Sequence, residues 1–530
     1  MIDVVIVGAG FAGLYALYRL RKDGFSAKLF EMADDIGGVW YWNRYPGARC
    51  DIEAIQYSYS FSEELQQEWK WSELYPGQEE ILRYLNYVAD KFDLRKDIQL
   101  KTRVNAAIFD DNHARWDIQT DRGDGISTRF CVMATGCLSI PHTPRINGLE
   151  TFKGNHYHTS QWPCTGVDFS GRRVGVFGTG SSGVQAIPLL AEQAKHLFVF
   201  QRTANFTVPA RNKPVEPAYE QWWKSNYAEH RKQMLDTITG CLAFDMKNCS
   251  AMSVTDDERT QEYEKQWQRG SLNFLGSFND LFFNQQSNDT AAKFLRGKIR
   301  QIVKDPAVAE NLLPYGFPLG TKRLSLDTNY LETFNRDNVT LVDLRYEPIE
   351  EITPTGIRTR NKTYELDDIV FATGFDAITG ALLQIDIRGR AGKRLRDKWV
   401  EKPSTYLGLM AADFPNLFMI NGPGSPAVFS NAALAIEQHV DWIADCLGYL
   451  RKTQCQMIEP RIEAEDEWGR HVNAVANMTL FPKADTWFNG ANIEGKSKVF
   501  TPYVGGISAY RKKCQEVAAN DYEGFILAKS

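Results

Sequence analysis

Residues 3–31 read DVVIVGAGFAGLYALYRLRKDGFSAKLFE, and their order decides the fold. DVVIV is a short apolar run of the kind a fully buried strand shows. GAGFAG follows at once, LYALYRLRKDG has helical spacing up to Gly24, and the apolar run AKLF ends on Glu31. Strand, glycine turn, helix, strand and acid in that order make a dinucleotide-binding unit. Gly8 permits the tight turn, Gly10 lets a pyrophosphate approach the backbone, and Gly13 lets helix and strand pack closely. The helix N-terminus suits phosphate, and Glu31 suits a ribose diol. A signal peptide is the competing reading of so apolar a start. Asp3 stands where a positive region belongs and glycines interrupt the run, so that reading is set aside.

The unit recurs. RRVGVF (172–177) reads as a strand, GTGSSG (Gly178, Thr179, Gly180, Ser181, Ser182, Gly183) as the turn and VQAIPLLAEQA as the helix, with a kink expected at Pro188. The next strand, HLFVF, ends in Gln201-Arg202 where the first unit ends in an acid. Arginine can grip a 2′-phosphate that a carboxylate would repel, which favours NADP over NAD at this second site. Taken alone, a solvated strand-end arginine explains Arg202 equally well. Two further strands, CVMATGCLS (131–139) and IVFATGFDA (369–377), each run into Ala-Thr-Gly and read as the strands that return to each unit. The fold class expected is α/β, with two Rossmann-like dinucleotide-binding domains and a helical insertion. One domain comprises 1–140 and 385–530, the other 150–214 and 321–384, and the insertion 215–320.

Composition agrees with a soluble globular chain of more than one domain. The 530 residues exceed a single core, while 43% hydrophobic and 24% charged residues exclude a disordered or fibrous protein. A net charge of −5 gives no basic field for nucleic acid or anionic membrane. No apolar run is long enough to span a bilayer. The nine cysteines include no Cys-x-x-Cys pair, which points to reduced thiols in a cytoplasmic protein. The same lack argues against a disulfide reductase, the obvious reading of two dinucleotide sites in one chain. Eight histidines without ligand spacing give no metal site.

Two segments narrow the chemistry. GGVWYWNRYPGARCD (37–51) is glycine- and aromatic-rich, suited to covering a planar ring system, with Trp40 and Tyr45 as packing surfaces. FKGNHYHTSQWP (152–163) lies between the two units and contains Phe152-x-Gly154-x-x-x-His158-x-x-x-Trp162-Pro163. This pattern, with the loop's Gly-Gly-x-Trp, Tyr-Pro-Gly and final Asp, resembles the signatures of the type I Baeyer–Villiger monooxygenases. Similarity continues through GTKRL, FNRDNVTLVD, ATGFDA, TYLGL, FPNLF, GPGSP, TWFNGANIEGK and YEGF, covering essentially the whole chain.

The resemblance implies FAD, reduced by NADPH and reacted with O₂ to a C4a-peroxyflavin, which converts a ketone to an ester or lactone. Sulfoxidation is an implied side activity. Arg323 of the Lys322-Arg323 pair is implied as the catalytic cation and Asp51 as its partner, although an arginine beside a lysine is ordinarily solvated surface. A guanidinium that stays charged suits an oxyanion that appears only during turnover. FAD contacts are implied at Gly8, Gly10, Phe11, Ala12, Gly13, Glu31, Val39, Trp40, Tyr41, Trp42, Asp51, Tyr57, Val104 and Ala432. NADP contacts are implied at Arg49, Cys50, the Gly178–Gly183 turn, Gln185, Arg202, Thr203, Lys322, Arg323 and Trp487. Ala427, Val428 and Phe429, in GPGSPAVFSN, align with a substrate-pocket loop closer to the phenylacetone-type than the cyclohexanone-type. His158, in a linker, is read as coupling domains rather than moving protons. The alternatives are another flavin monooxygenase acting on nitrogen or sulfur, and a non-catalytic flavin and NADPH sensor.

Overall fold

A computed structural model describes residues 2–242 and 246–529; residues 243–245 of the expected insertion lie outside the described residues. The opening segment forms the strand Ile2–Val7, the helix Phe11–Lys22 and the strand Ala27–Phe30, with the helix closed at Asp23. Ile2–Val7 pairs in parallel with Ala27–Phe30 on one side and Gly125–Met133 on the other. These strands centre an eight-stranded sheet. It takes Val104–Asp110 and Arg115–Thr120 as an antiparallel extension, and adds Asp386–Arg388 and Leu417–Met419 from far along the chain.

A second sheet is five-stranded and wholly parallel, in the order Val339–Asp343, His196–Gln201, Arg173–Phe177, Asp368–Phe371, Asn155–His158. Its edge strand, Asn155–His158, belongs to the segment read from sequence as a linker. Ladder pairing with Asp368–Phe371 draws it into the sheet and sets His158 opposite Phe371. The helix Ser181–Gln193 continues through Pro188 without a break.

The two Ala-Thr-Gly segments do the same job in each sheet. Gly8 and Gly178 have φ of 105° and 102°, a conformation that side chains rarely adopt. A Cβ on Gly8 would stand 2.6 Å from the carbonyl oxygen of Ala134, and one on Gly178 would stand 2.4 Å from that of Ala372. Each return strand therefore closes directly over the turn it serves.

Between the sheets' contributions lie the helices Pro217–Ser225, Tyr227–Asp236, Asp256–Arg269, Gln285–Ile302 and Pro306–Asn311. The longest amphipathic run, PAYEQWWKSNYAEHRKQML, is split at Asn226, where the backbone leaves helical geometry. The chain enters this region through the strand Thr207–Pro209 and leaves it through Ser325–Asp327. These two strands pair with each other in parallel. That short ladder sets Arg202-Thr203 beside Lys322-Arg323, and Asn205 Nδ2 donates to the Arg323 carbonyl at 3.0 Å. No helix among the described residues is long and apolar enough to cross a membrane, and all nine cysteines are unpaired.

Close packing at the third glycine of each turn gives a test of stability. A Cβ on Gly13 would lie 1.8 Å from the Gly8 oxygen, whereas one on Gly180 would meet nothing within 4 Å. Gly13→Ala is expected to cost about 1–3 kcal/mol and Gly180→Ala well under ~1 kcal/mol, read by denaturant unfolding. Equal losses would contradict the packing argument.

Candidate active site

Both glycine turns present a helix N-terminus without competition. Gly10 and Gly180 are the cap residues, no side chain caps either helix, and neither first turn holds an acid. Free N–H groups at the positive end of a helix dipole fit a pyrophosphate. The space that a Cβ of Gly180 would enter is open. Glu31 is buried at the end of its strand, and its carboxylate accepts N–H groups from Ala9 at 2.7 Å and Ala33 at 2.9 Å. Burial raises its pKa above the usual carboxylate range and those backbone donors pull it back. It is thus fixed at the position where a ribose would meet the turn.

The glycine-rich loop spans the distance between the two turns. It begins against the first: Gly38 packs on the Gly10 backbone, and Val39–Trp42 form one helical turn. Trp40 Nε1 donates to the Tyr57 hydroxyl at 3.1 Å, and the Tyr57 ring lies 5.1 Å from that of Phe11. The Trp42 carbonyl accepts the N–H of Trp162, from the second signature segment. The loop ends against the second turn's helix, where a Cβ on Gly47 would stand 2.4 Å from the Gln185 carbonyl oxygen.

There the loop delivers Asp51. Its carboxylate meets Arg323 at 3.4 Å across 272 residues of sequence, and Gln185 Nε2 donates to it at 3.5 Å. Gln185 is itself oriented on both sides: Nε2 reaches the Arg49 carbonyl at 3.1 Å, and Oε1 accepts the Tyr45 hydroxyl at 2.7 Å. Tyr45, read from sequence as a packing surface, is a hydrogen-bonding support, and burial pushes its phenol up to about 12. Burial raises the Asp51 carboxyl, while the charge and hydrogen bond of Arg323, and then Arg49, hold it down. The Asp51 side chain is 10% exposed and that of Arg323 33%, so the pair has a covered acid and an accessible cation. Cys50 beside them is buried, which raises its thiol pKa and leaves it a poor nucleophile.

Lys322 lines a cavity of about 320 Å³ with Thr203. Burial and the neighbouring Arg202 charge lower its pKa, and the charge of Asp485 offsets part of that shift. Val428, Phe429 and Trp487 belong to one aromatic cluster with Phe481, Phe488 and Phe500, and Phe429 lies 4.5 Å from Phe488 between ring centres. Ala427 is buried at the start of the short helical turn Ala427–Phe429. Ala432 opens the helix Ala432–Thr453. Val104 opens a strand of the first sheet and is buried with Val7 and Phe30.

His158 stands at the end of the second sheet's edge strand. Its Nδ1 accepts the Ser160 N–H at 3.1 Å, so Nε2 carries the proton and faces the His142 carbonyl at 3.3 Å. Burial lowers its pKa, which keeps it neutral. Among the described residues no cluster of His, Cys, Asp and Glu is arranged to hold a metal.

Two contributors escaped the sequence reading. The loop after Asp51 is irregular, and the buried Arg231 from the helical region clamps it by donating to the carbonyls of Ile55 at 2.8 Å and Gln56 at 3.2 Å. Gln56 also accepts Asn431 Nδ2 at 2.6 Å, tying Ala432's helix to Tyr57's loop. Neither residue stands in a motif; only the low apolar content of the helix Tyr227–Asp236 hinted at a polar buried face.

Comparison with known proteins agrees with this geometry. The family described as flavin-binding monooxygenase-like matches residues 2–235. A Baeyer–Villiger monooxygenase of Pseudooceanicola batsensis is 43% identical over 99% of this chain and 96% of its own length. A phenazine N-monooxygenase of Lysobacter antibioticus is 42% identical over 99% and 97%. Among solved structures, an oxidised steroid monooxygenase bound to NADP superposes with a TM-score of 0.95 at 49% identity, covering all of both chains. With full-length identity above 40% and both signature segments built into its site, this chain belongs to the Baeyer–Villiger monooxygenase family.

Proposed function

We propose that this protein is an FAD-containing, NADPH-dependent enzyme that inserts one atom of O₂ beside a ketone carbonyl to give an ester or lactone. The observation that carries this reading is the Asp51–Gln185–Arg323 arrangement. It brings a covered carboxylate and an accessible guanidinium together between two uncapped glycine turns. Residues 1–140 with 385–530 would form the FAD domain, 150–214 with 321–384 the NADP domain, and 215–320 the helical insertion, in a cytoplasmic protein.

FAD would lie at Gly8–Gly13, Glu31, Val39–Trp42 and Tyr57, with Val104 and Ala432 beneath and beside it. NADP would lie at Gly178–Gly183 and Gln185, with Arg202, Thr203 and Lys322 on its 2′-phosphate and Arg49, Cys50, Arg323 and Trp487 along its length. When bound, the reduced flavin supplies the activation of O₂. The chain's own residues orient the reactants and hold anionic oxygen. Arg323 offers forked, permanently charged donors to the oxyanion that forms when the ketone carbonyl is attacked. Asp51 and Gln185 fix the direction of those donors, so no reorganisation is needed as charge develops. Ala427, Val428 and Phe429 would present an apolar wall to the ketone. A nitrogen-oxidising activity is the second reading, favoured by the 42% identity to a phenazine N-monooxygenase.

A panel of ketones, including cyclic, aryl and steroid ketones, scored by product mass with NADPH and O₂, separates the two readings. Ester or lactone is expected; oxidation confined to amines and phenazines would favour the second. Arg323→Ala is expected to lower ester formation by about 10²–10³-fold while the flavin stays bound. Asp51→Asn is expected to cost about 10²-fold through misdirection of Arg323. Normal ketone oxidation by either variant would remove the assignment.

A further inference from the structure

The cavity that Lys322 lines is built by three stretches far apart in sequence. Thr203 and Lys322 come from the paired entry and exit of the helical region, Phe317 from the loop before that exit, and Lys483 from a turn near the C-terminal end of the chain. Lys322 lies over the Phe317 ring at 4.9 Å, an apolar support that offers its ammonium no counter-charge. Lys483 donates to Gln285 Oε1 at 2.9 Å, a neutral partner. Asp485 also borders the cavity, but its carboxylate is taken by Lys498 at 3.0 Å. Among the described residues the space therefore gathers Lys322 and Lys483, with Arg202 nearby, against one bordering acid, Asp485, whose charge is shared between Lys498 and Lys322. Three donors of positive charge around a cavity larger than one phosphate match a dianion with three acceptor oxygens better than two do.

We propose that Lys483 is a further specificity-determining contact of the coenzyme's 2′-phosphate, alongside Arg202 and Lys322. The inference rests on the assignment of those two residues to that phosphate. Its consequence reaches past selectivity. Lys483 stands four residues before Trp487 and two after Phe481, both in the aromatic cluster that holds Val428 and Phe429. A coenzyme that carries the phosphate ties this segment to the end of the second sheet; one that lacks it does not.

The test is calorimetric titration of the FAD-loaded protein with NADP⁺ and NAD⁺, and with the fragments adenosine 2′,5′-bisphosphate and AMP. Lys483→Ala should weaken NADP⁺ and the bisphosphate by about tenfold or more and change NAD⁺ and AMP by less than about twofold. Lys483→Arg should recover most of the loss. Because Lys483 is exposed, both variants should keep their flavin and their unfolding temperature. Unchanged NADP⁺ affinity in Lys483→Ala, or equal losses with and without the phosphate, would overturn the inference. Arg202→Ala and Lys322→Ala in the same series keep the two levels apart. If they discriminate and Lys483→Ala does not, Lys483 alone is misassigned. If none of the three discriminates, the phosphate site itself is wrong.

Discussion

Where each sheet hands its first strand to a helix, the carbonyl oxygen of the first glycine occupies the place a side chain of the third would need. The distance is 1.8 Å for Gly13 against Gly8 and 2.2 Å for Gly183 against Gly178. This contact sets how near the helix lies to the sheet, and so where its free N–H groups point. The Ala-Thr-Gly return strands close on the same spot from the other side, with Ala134 over Gly8 and Ala372 over Gly178. The recurrence of one packing solution in both sheets explains why two nucleotide sites can be related by a single connecting loop.

That loop, residues 37–51, is the mechanical link between the two halves. It is pinned at Gly38 to the first turn and at Gly47 to the helix of the second. Asp51 sits at its end, where a buried carboxylate would be costly without partners. Arg323 supplies the charge and Gln185 the hydrogen bond, while Tyr45, from the loop itself, orients Gln185. Losing Gln185 or Tyr45 would loosen the aim of the guanidinium without removing it, which separates positioning from chemistry in this site.

Much of this was legible because its physics is local. The GAGFAG and GTGSSG turns, the strands around them and the acid Glu31 follow from steric limits on a few neighbouring residues. Ala432 is a different case, since helix-opening residues are common and its helix is tied to the loop around Tyr57 by hydrogen bonds from Asn431 to Gln56 and from Ser60 to Glu437. Arg231 could not be read at all, because a buried arginine in a polar helix looks like any solvated one until its carbonyl partners are placed. His158 was legible as a signature residue, yet the edge strand beneath it was not, because NHYH acquires its ladder only from a segment more than two hundred residues away.

The sequence alone determined that the chain holds two strand–glycine–helix units, that their second tips differ in charge, and that the intervening motifs resemble one family of oxygenating flavoproteins. Each of those depends on residues within about thirty positions of one another. The resemblance implied that Asp51 pairs with Arg323 and that Arg202 and Lys322 act together; only the tertiary structure set Lys483 in the space that Lys322 lines and gave Asp51 its second partner, Gln185. The reason is the parallel pairing of Thr207–Pro209 with Ser325–Asp327, which folds a hundred-residue helical excursion back on itself. Backbone hydrogen bonds formed across that distance brought the charges together, and no pattern in the neighbouring residues announces which distant strand will supply them.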